Sequence, residues 1–220
     1  MFLPQQNNYP SLKIKSSVFS CHLIPISDPE EVPSHLNQLR KTHYSAAHHC
    51  WAWRLLEPTE TELHWQEHQS DDGEPRGTAG FPILHRLHHH EIVNTLAVVI
   101  REYGGTKLGK SGLISAYSDA TDLAINQAEL IPQQACYLLQ IENSYDQENL
   151  IKQWMHQWQL PLVSSEFGMQ VCRSFQLSWD LYEDIHEDLH AELRSWEHLA
   201  VRWAWRELAI RPTMKHRVNC

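Results

Sequence analysis

Three observations make this 220-residue sequence read as an α+β protein of two domains. Seven of the eight glycines (Gly73, Gly77, Gly80, Gly104, Gly105, Gly109 and Gly112) fall in one forty-residue window. Six of the nine tryptophans (Trp154, Trp158, Trp179, Trp196, Trp203 and Trp205) lie in the last third. In the second half, from Ala135 on, the apolar period alternates between two and four in the order βαββαβ. Glycine permits positive φ and close backbone approach, so its clustering marks tight loops, whereas an indole-rich segment packs by bulk. Two regions with different packing rules imply two domains. The break is expected at Leu130-Ile131-Pro132-Gln133-Gln134, where a proline and two glutamines end a helical pattern, giving domains 1–131 and 132–220.

The elements follow in order. Leu12 to Pro25 reads as a strand, Pro29 to His43 as a helix, and His49 to Leu56 with Glu62 to Gln69 as a strand pair. Thr78 to His89 is a short helix with Thr78 as its N-cap, Asn94 to Tyr103 a strand, and Gly109 to Glu129 a helix. Beyond the break, Ala135 to Ile141 is apolar and strand-like, and Leu150, Ile151, Trp154 and Trp158 recur at helical spacing. Leu162 to Glu166 and the alternating residues from Phe167 to Trp179, near Gly168, form a hairpin signal. Leu181, Ile185, Leu189, Leu193 and Trp196 mark a second helix, and Val201, Trp203 and Trp205 a last strand. This is the split βαβ, ferredoxin-like order.

Composition narrows the function classes. Eighteen Lys and Arg against 27 Asp and Glu give a net charge of −9, without the footprint of a general nucleic-acid coat; any RNA contact has to be local. The longest aliphatic stretch, Leu96 to Ile100, is far below the roughly 20 residues that span a bilayer, and Met1 to Gln6 lacks a signal-peptide pattern, so the chain is expected in the cytoplasm, off the membrane. Cys21, Cys50, Cys136, Cys172 and Cys220 contain no CxxC pair and read as buried thiols. No cofactor and no resident metal is expected.

Three constellations carry chemical interest. In Ser70-Asp71-Asp72-Gly73-Glu74-Pro75-Arg76-Gly77-Thr78-Ala79-Gly80, three acids precede a helix start. Such a loop could hold a cation or an amine-rich partner, accept an anion on the free helix amides, or be a well-capped loop with solvated acids. In Arg101-Glu102-Tyr103-Gly104-Gly105-Thr106-Lys107-Leu108-Gly109-Lys110-Ser111, glycine backbone and two lysines gather where a strand gives way to a helix, with the physics of a phosphate cradle. Gly104 to Ser111 satisfies G-x-x-x-x-G-K-[ST] literally, but no parallel βαβ series follows to supply a magnesium-binding acid, which argues against nucleotide hydrolysis. The third is His186-Glu187-Asp188-Leu189-His190, a literal H-E-x-x-H. Its neighbours Ile185 and Leu189 belong to the apolar stripe and no third ligand is signalled, so the helix is read as structural. His85, His88, His89 and His90 read as surface histidines.

The segments SDDGEPRGTAGFPIL (Ser70 to Leu84) and REYGGTKLGKSGLISAYSDA (Arg101 to Ala120), with Ala46-Ala47-His48-His49-Cys50-Trp51-Ala52-Trp53 before them, resemble the Impact/YigZ family, the uncharacterised protein family twenty-nine. The likeness covers roughly residues 12 to 130, and the tail is similar to the second domain of its bacterial two-domain members. The resemblance implies a two-layer α/β first domain like those of ribosomal proteins and of the fourth domain of the translocating elongation factor, followed by a ferredoxin-like second domain. It implies a shared surface of His48, Asp71, Asp72, Glu74, Thr78, Arg101, Tyr103, Gly104, Gly105, Lys107, Lys110 and Tyr117. Glu102, Ser111 and Ser115 depart from the family pattern, standing where phenylalanine, glycine and arginine are usual, and each removes positive charge or adds negative charge or bulk. Eukaryotic relatives regulate translation by competing for the co-activator of an initiation-factor kinase.

The reading is therefore a non-catalytic, translation-linked binding module whose partner is the ribosome, structured RNA or a translation regulator. The rival reading is an enzyme acting on a phosphorylated substrate, with a divalent ion held by Asp71, Asp72 and Glu74. Distance discriminates between them: the enzyme requires the acidic loop and Lys107/Lys110 to converge on one pocket, while a binding module permits a broad shallow face.

Overall fold

The computed structural model describes residues 1–5, 9–58, 63–199 and 201–212. The chain divides into two compact units, the first comprising Met1–Glu57 and His64–Pro132, the second built on the chain from Gln133 onward.

The first unit is organised by a mixed set of strands and three helices: β1 (Phe2–Pro4), β2 (Ser11–Ile14), β3 (Ser17–Pro25), α1 (Val32–Thr42), β4 (His48–Pro58), β5 (Leu63–Ser70), α2 (Gly80–His89), β6 (Thr95–Glu102) and α3 (Gly109–Gln127). Its main sheet has the order β2-β3-β6-β4-β5, and β6 runs antiparallel to both β3 and β4. The single strand expected over Leu12 to Pro25 is a hairpin. Lys15 sits at φ 52°, and Ile14 pairs with Ser17 across the turn. Glu62, expected at the start of β5, lies outside the described residues.

The strand β6 explains the layering. Every residue from Thr95 to Arg101 is buried, and the two faces alternate. Ala97 and Val99 join Phe19, Cys21, Cys50 and Ala52 in one core, filled from α2 by Ile83 and Leu87 and from α3 by Leu113, Ala116, Tyr117, Ala120, Ala124 and Ile125. Leu96, Val98 and Ile100 point the other way, into a second core with Ile24, Trp53, Leu55 and, from α1, Val32 and Leu36. The two layers implied by the resemblance are thus three: α1 covers the face that a two-layer domain leaves open, because a strand apolar on both faces must be covered on both.

The strand β7 (Leu130–Asn143) carries the chain from the first unit into the second. Its first residues pair with β1, so the expected break at Leu130–Gln134 is itself extended backbone. The second unit continues with α4 (Glu148–Trp158), β8 (Leu162–Phe167), β9 (Val171–Ser178), α5 (Trp179–Ser195) and β10 (Arg202–Pro212). The strand order is β10-β7-β9-β8, antiparallel throughout. Leu139, Ile141, Phe175 and Leu177 from the sheet meet Ile151 and Trp154 from α4 and Leu189 and Leu193 from α5. Trp154 is the largest fully buried side chain, edge-on to both Phe175 and Trp196. Trp203 is half-buried and packs against this core rather than inside it.

Candidate functional site

The acidic loop between β5 and α2 is an internal brace. Asp71 Oδ1 accepts the backbone N–H groups of Ala79 (3.0 Å) and Gly80 (2.9 Å), and Oδ2 accepts that of Gly77 (2.8 Å). It thereby satisfies the orphan amides that open α2. Thr78, expected as the N-cap, does not cap: the helix begins one residue later, and the buried Thr78 hydroxyl donates back to the Pro75 carbonyl (2.7 Å). A carboxylate is the stronger acceptor for several amides, and it is within reach because the loop folds back on itself.

Asp72 is equally committed. One carboxylate oxygen accepts from Arg40 Nη2 of α1 (3.0 Å), the other from the His49 amide (2.7 Å), and its carbonyl accepts from His48 Nδ1 (2.8 Å). Glu74 turns inward instead. Its Oε1 receives Arg101 Nη1 (2.5 Å) and the Tyr117 hydroxyl (2.9 Å), and His48 Nε2 lies 3.9 Å away. The Glu74 and Arg101 side chains are 4% and 6% exposed, so the pair is desolvated, and the Arg101 guanidinium lies beside the rings of Phe19 and Tyr103. The three acids face three different sets of partners. The divalent-ion version of the enzyme reading fails on this geometry, since no two of these carboxylates share an open position.

Behind Glu74, the Cys50 thiol donates to the Asp71 carbonyl (2.9 Å) and to Tyr117 Oη (3.3 Å). Burial pushes both the Cys50 thiol and the Tyr117 phenol well above their ordinary ranges. Cys50 is therefore held as a neutral thiol, and Tyr117 is a hydrogen-bond donor at all physiological pH. Cys21 and Cys136 are buried, as expected, whereas Cys172 is only half-buried; Cys220 lies outside the described residues.

The second motif builds the other wall. Gly104 packs so tightly on the hairpin turn that a Cβ there would lie 1.9 Å from the Ser16 carbonyl oxygen, and its amide donates to the Ser17 hydroxyl oxygen (3.2 Å). Only glycine fits, and the amide is spent on the fold rather than on a ligand. Gly105 is exposed. The helix α3 then opens at Gly109 with Leu108 as N-cap, no side-chain cap and no acidic residue in its first turn. This is not a P-loop: β6 lies between antiparallel neighbours. Lys107 and Lys110 are exposed, and neither makes an ion pair or hydrogen bond among the described residues. Glu102, Ser111 and Ser115 are exposed as well, outside the buried network.

These walls enclose a cleft of about 480 Å³ lined by Ala47, His48, Glu74, Pro75, Arg101, Tyr103, Lys107, Leu108, Gly109, Lys110 and Leu113. Of the twelve residues named from the sequence, the structure brings His48, Glu74, Arg101, Tyr103, Lys107 and Lys110 to one cleft. Asp71, Asp72, Thr78, Gly104 and Tyr117 serve as its frame. Leu108 and Leu113, which the sequence reading left out, supply apolar wall; their place at the start of a helix that follows a glycine-rich loop was the available signal. The requirement set for the enzyme reading, that the acidic loop and the two lysines converge, is met through Glu74.

The other histidine motifs lead elsewhere. His190 stacks on Trp205 and meets Trp203 edge-on, and His186 stacks on Tyr182, so both rings are packing elements of α5. His88 Nε2 pairs with Glu67 (3.0 Å) and His90 Nε2 with Asp122 (2.8 Å), on separate partners.

Comparison with known proteins places this architecture. The Impact N-terminal domain model matches residues 15–125. An IMPACT family member of Haemophilus influenzae is 34% identical over 159 residues, covering 72% of this chain and 76% of its own length. YigZ of Escherichia coli, also an IMPACT family member, is 38% identical over 115 residues, covering 52% of this chain and 55% of its own; the chain thus spans about half the length of that relative. A crystal structure described as a hypothetical protein aligns over 96% of this chain and 97% of its own, at 27% identity and a TM-score of 0.58. With a match across half its length and a relative covered over three quarters, the chain belongs to the IMPACT family.

Proposed function

We propose that this protein is a non-catalytic, translation-linked binding module that meets the ribosome, structured RNA or a translation regulator through the rim of the cleft. The single observation that carries the reading is the pair Lys107 and Lys110: in a chain of net charge −9, two ammonium groups without acidic partners among the described residues flank the uncapped start of α3. Uncompensated cations beside free helix amides are complementary to phosphate. The family's regulatory role in translation, carried over from the eukaryotic relatives, is consistent with that surface and has the protein act in the cytoplasm. No described helix is long and apolar enough to cross a membrane.

The architecture supports the finer parts of the reading. The order β10-β7-β9-β8 supports a ferredoxin-like second domain, and α2 and α3 packed together on one sheet face support a first domain like those of ribosomal proteins and the elongation factor's fourth domain, with α1 added opposite. We assign these domains to 1–131 and 132–220. A second reading, an enzyme acting on a phosphorylated substrate without the divalent ion, is favoured by the convergence of His48 and Glu74 with the two lysines.

Co-sedimentation with ribosomes from a cell lysate tests the choice. The proposal expects the full chain in the ribosomal fraction and its loss on Lys107→Glu/Lys110→Glu; the same distribution with and without ribosomes contradicts it and leaves the enzyme reading.

A further inference from the structure

We infer that β8, the end strand of the second sheet, is a self-association edge: two copies of this chain pair antiparallel through it, with Ser165 on the two-fold axis.

The strand order β10-β7-β9-β8 leaves the outer side of β8 (Leu162–Phe167) without a neighbouring strand among the described residues. An end strand presents a row of unpaired backbone donors and acceptors, and proteins blunt such an edge with charge, proline or brevity. The end strand β2 of the first sheet is blunted in this way, being four residues long and carrying Lys13. In β8 only Glu166 is charged. Its apolar side chains face water: Val163 is 48% and Phe167 68% exposed, and Met169, in the turn that follows, is fully exposed. The turn itself is braced, since the Tyr145 hydroxyl donates to the Gly168 carbonyl (3.0 Å). A braced hairpin with an apolar, nearly uncharged outer strand is suited to strand addition.

The sequence of β8 selects the occupant. When two identical strands pair antiparallel about a two-fold axis, the axis passes through one residue, and residues equally spaced on either side of it face each other. With the axis at Glu166, two carboxylates stand directly opposite, which is destabilising. With the axis at Ser164, Glu166 faces Leu162 of the second copy and Phe167 faces Pro161, which has no N–H for a ladder. With the axis at Ser165, Val163 faces Phe167 and Phe167 faces Val163, an aromatic and β-branched pair made twice. Each Glu166 then faces a Ser164 hydroxyl, which can donate to it. The irregularity in the β8–β9 register lies between Leu162 and Ser164, so Ser164–Phe167, the centre of the new ladder, is regular. Ser165 and Phe167 lie opposite Arg173 and Val171, and Arg173 bonds Glu148 of α4 (2.8 Å); the new side-chain pairs therefore extend the face that the helices cover. A foreign peptide would have to carry this pattern, whereas a second copy supplies it by symmetry. A six-residue edge falls below the roughly 1,200 Å² of a standard interface, so the dimer is weak and concentration-dependent.

Sedimentation equilibrium of the full chain from about 1 µM to 1 mM, the range of weak association, tests this without a variant. The weight-average mass should rise from 25.7 kDa toward twice that value. Val163→Lys/Phe167→Lys, at two exposed positions, sets like charges opposite in both pairs and should stay monomeric throughout, with far-UV dichroism unchanged. Val163→Lys/Phe167→Glu sets opposite charges in both pairs and should restore association at least tenfold over the like-charge variant. A wild-type chain that is monomeric at every concentration overturns the inference and leaves the edge to an extended segment of another protein. Association that survives the like-charge variant, or two variants that behave alike, overturns it as well, because the register about Ser165 is then wrong.

Discussion

Replacing Glu74 by leucine tests whether the buried pair frames the cleft. Arg101 is 6% exposed and Glu74 4%, so the substitution leaves a guanidinium out of water with no carboxylate. Breaking one partner of a buried ion pair costs about 3–5 kcal/mol. The Tyr117 hydroxyl, which donates to the same oxygen, loses its acceptor as well and keeps only the Cys50 thiol, which argues for the upper part of that range. The double variant Glu74→Leu/Arg101→Met removes both charges and should recover at least about 2 kcal/mol, since apolar replacement of a buried pair is often neutral. Because the chain has two units, a single unfolding midpoint is not a defined stability; native-state hydrogen exchange followed peptide by peptide reads the first unit alone. The Thr95–Arg101 amides of β6 should lose protection by the stated amount while those of β9, in the second unit, keep theirs. A loss under about 1 kcal/mol, or a double variant no better than the single one, would refute the argument that this pair is desolvated and coupled.

Other outcomes follow from the same structure. Burial, with His43 and His49 nearby, lowers the His22 imidazole from 6.5 to about 4, and burial also lowers His49. The unfolded state therefore binds more protons between those values. Stability should fall as pH drops from about 6.5 to 4, by about 3 kcal/mol for His22 alone; His22→Phe, which keeps the stacking on Tyr9, should flatten that slope in pH-dependent hydrogen exchange, and an unchanged slope would contradict it. Asp71→Ala removes the acceptor of three amides and should cost about 2 kcal/mol, above an ordinary cap, read as lost exchange protection in the first turn of α2. Trp154→Ala should cost about 3–5 kcal/mol, whereas Trp203→Ala, half-buried, should cost under about 2 kcal/mol; equal values would mean that the two indoles are buried alike. Replacing His186 and His190 together by Gln should leave far-UV dichroism unchanged, and a stoichiometric zinc lost on that replacement would overturn their packing role.

Much of this architecture is legible in the sequence because its period is strong. The alternation Val201, Trp203, Trp205 and the four-residue steps of Leu181 to Leu193 are local signals that tertiary contacts did not override. The hairpin at Lys15-Ser16 was hidden because the residue that takes positive φ is Lys15, where glycine or asparagine would have signalled the turn, and because the close approach of Gly104 to Ser16 is a long-range contact. The third layer was signalled by the unbroken apolar run Leu96 to Ile100 but obscured by the likeness to a two-layer domain. At the site, residue types identified the cleft walls, but not which acids were committed. Asp71, Asp72 and Glu74 are alike in sequence. Their roles separate through partners 9, 32 and 27 residues away, at Gly80, Arg40 and Arg101, and no local pattern encodes such pairings.

Binding of a short single-stranded RNA, measured by fluorescence anisotropy across a salt series, tests the claim that the Lys107/Lys110 rim is the phosphate contact. The account predicts a shallow dependence, about −0.7 in log K against log salt per phosphate neutralised, hence a slope of about −1.4 for the two lysines. Lys107→Glu/Lys110→Glu should abolish binding, and Arg202→Glu, at an exposed position of β10, should leave it within twofold. Binding that survives the lysine reversal and is lost with Arg202→Glu would contradict the account and move the site to the sheet of the second unit.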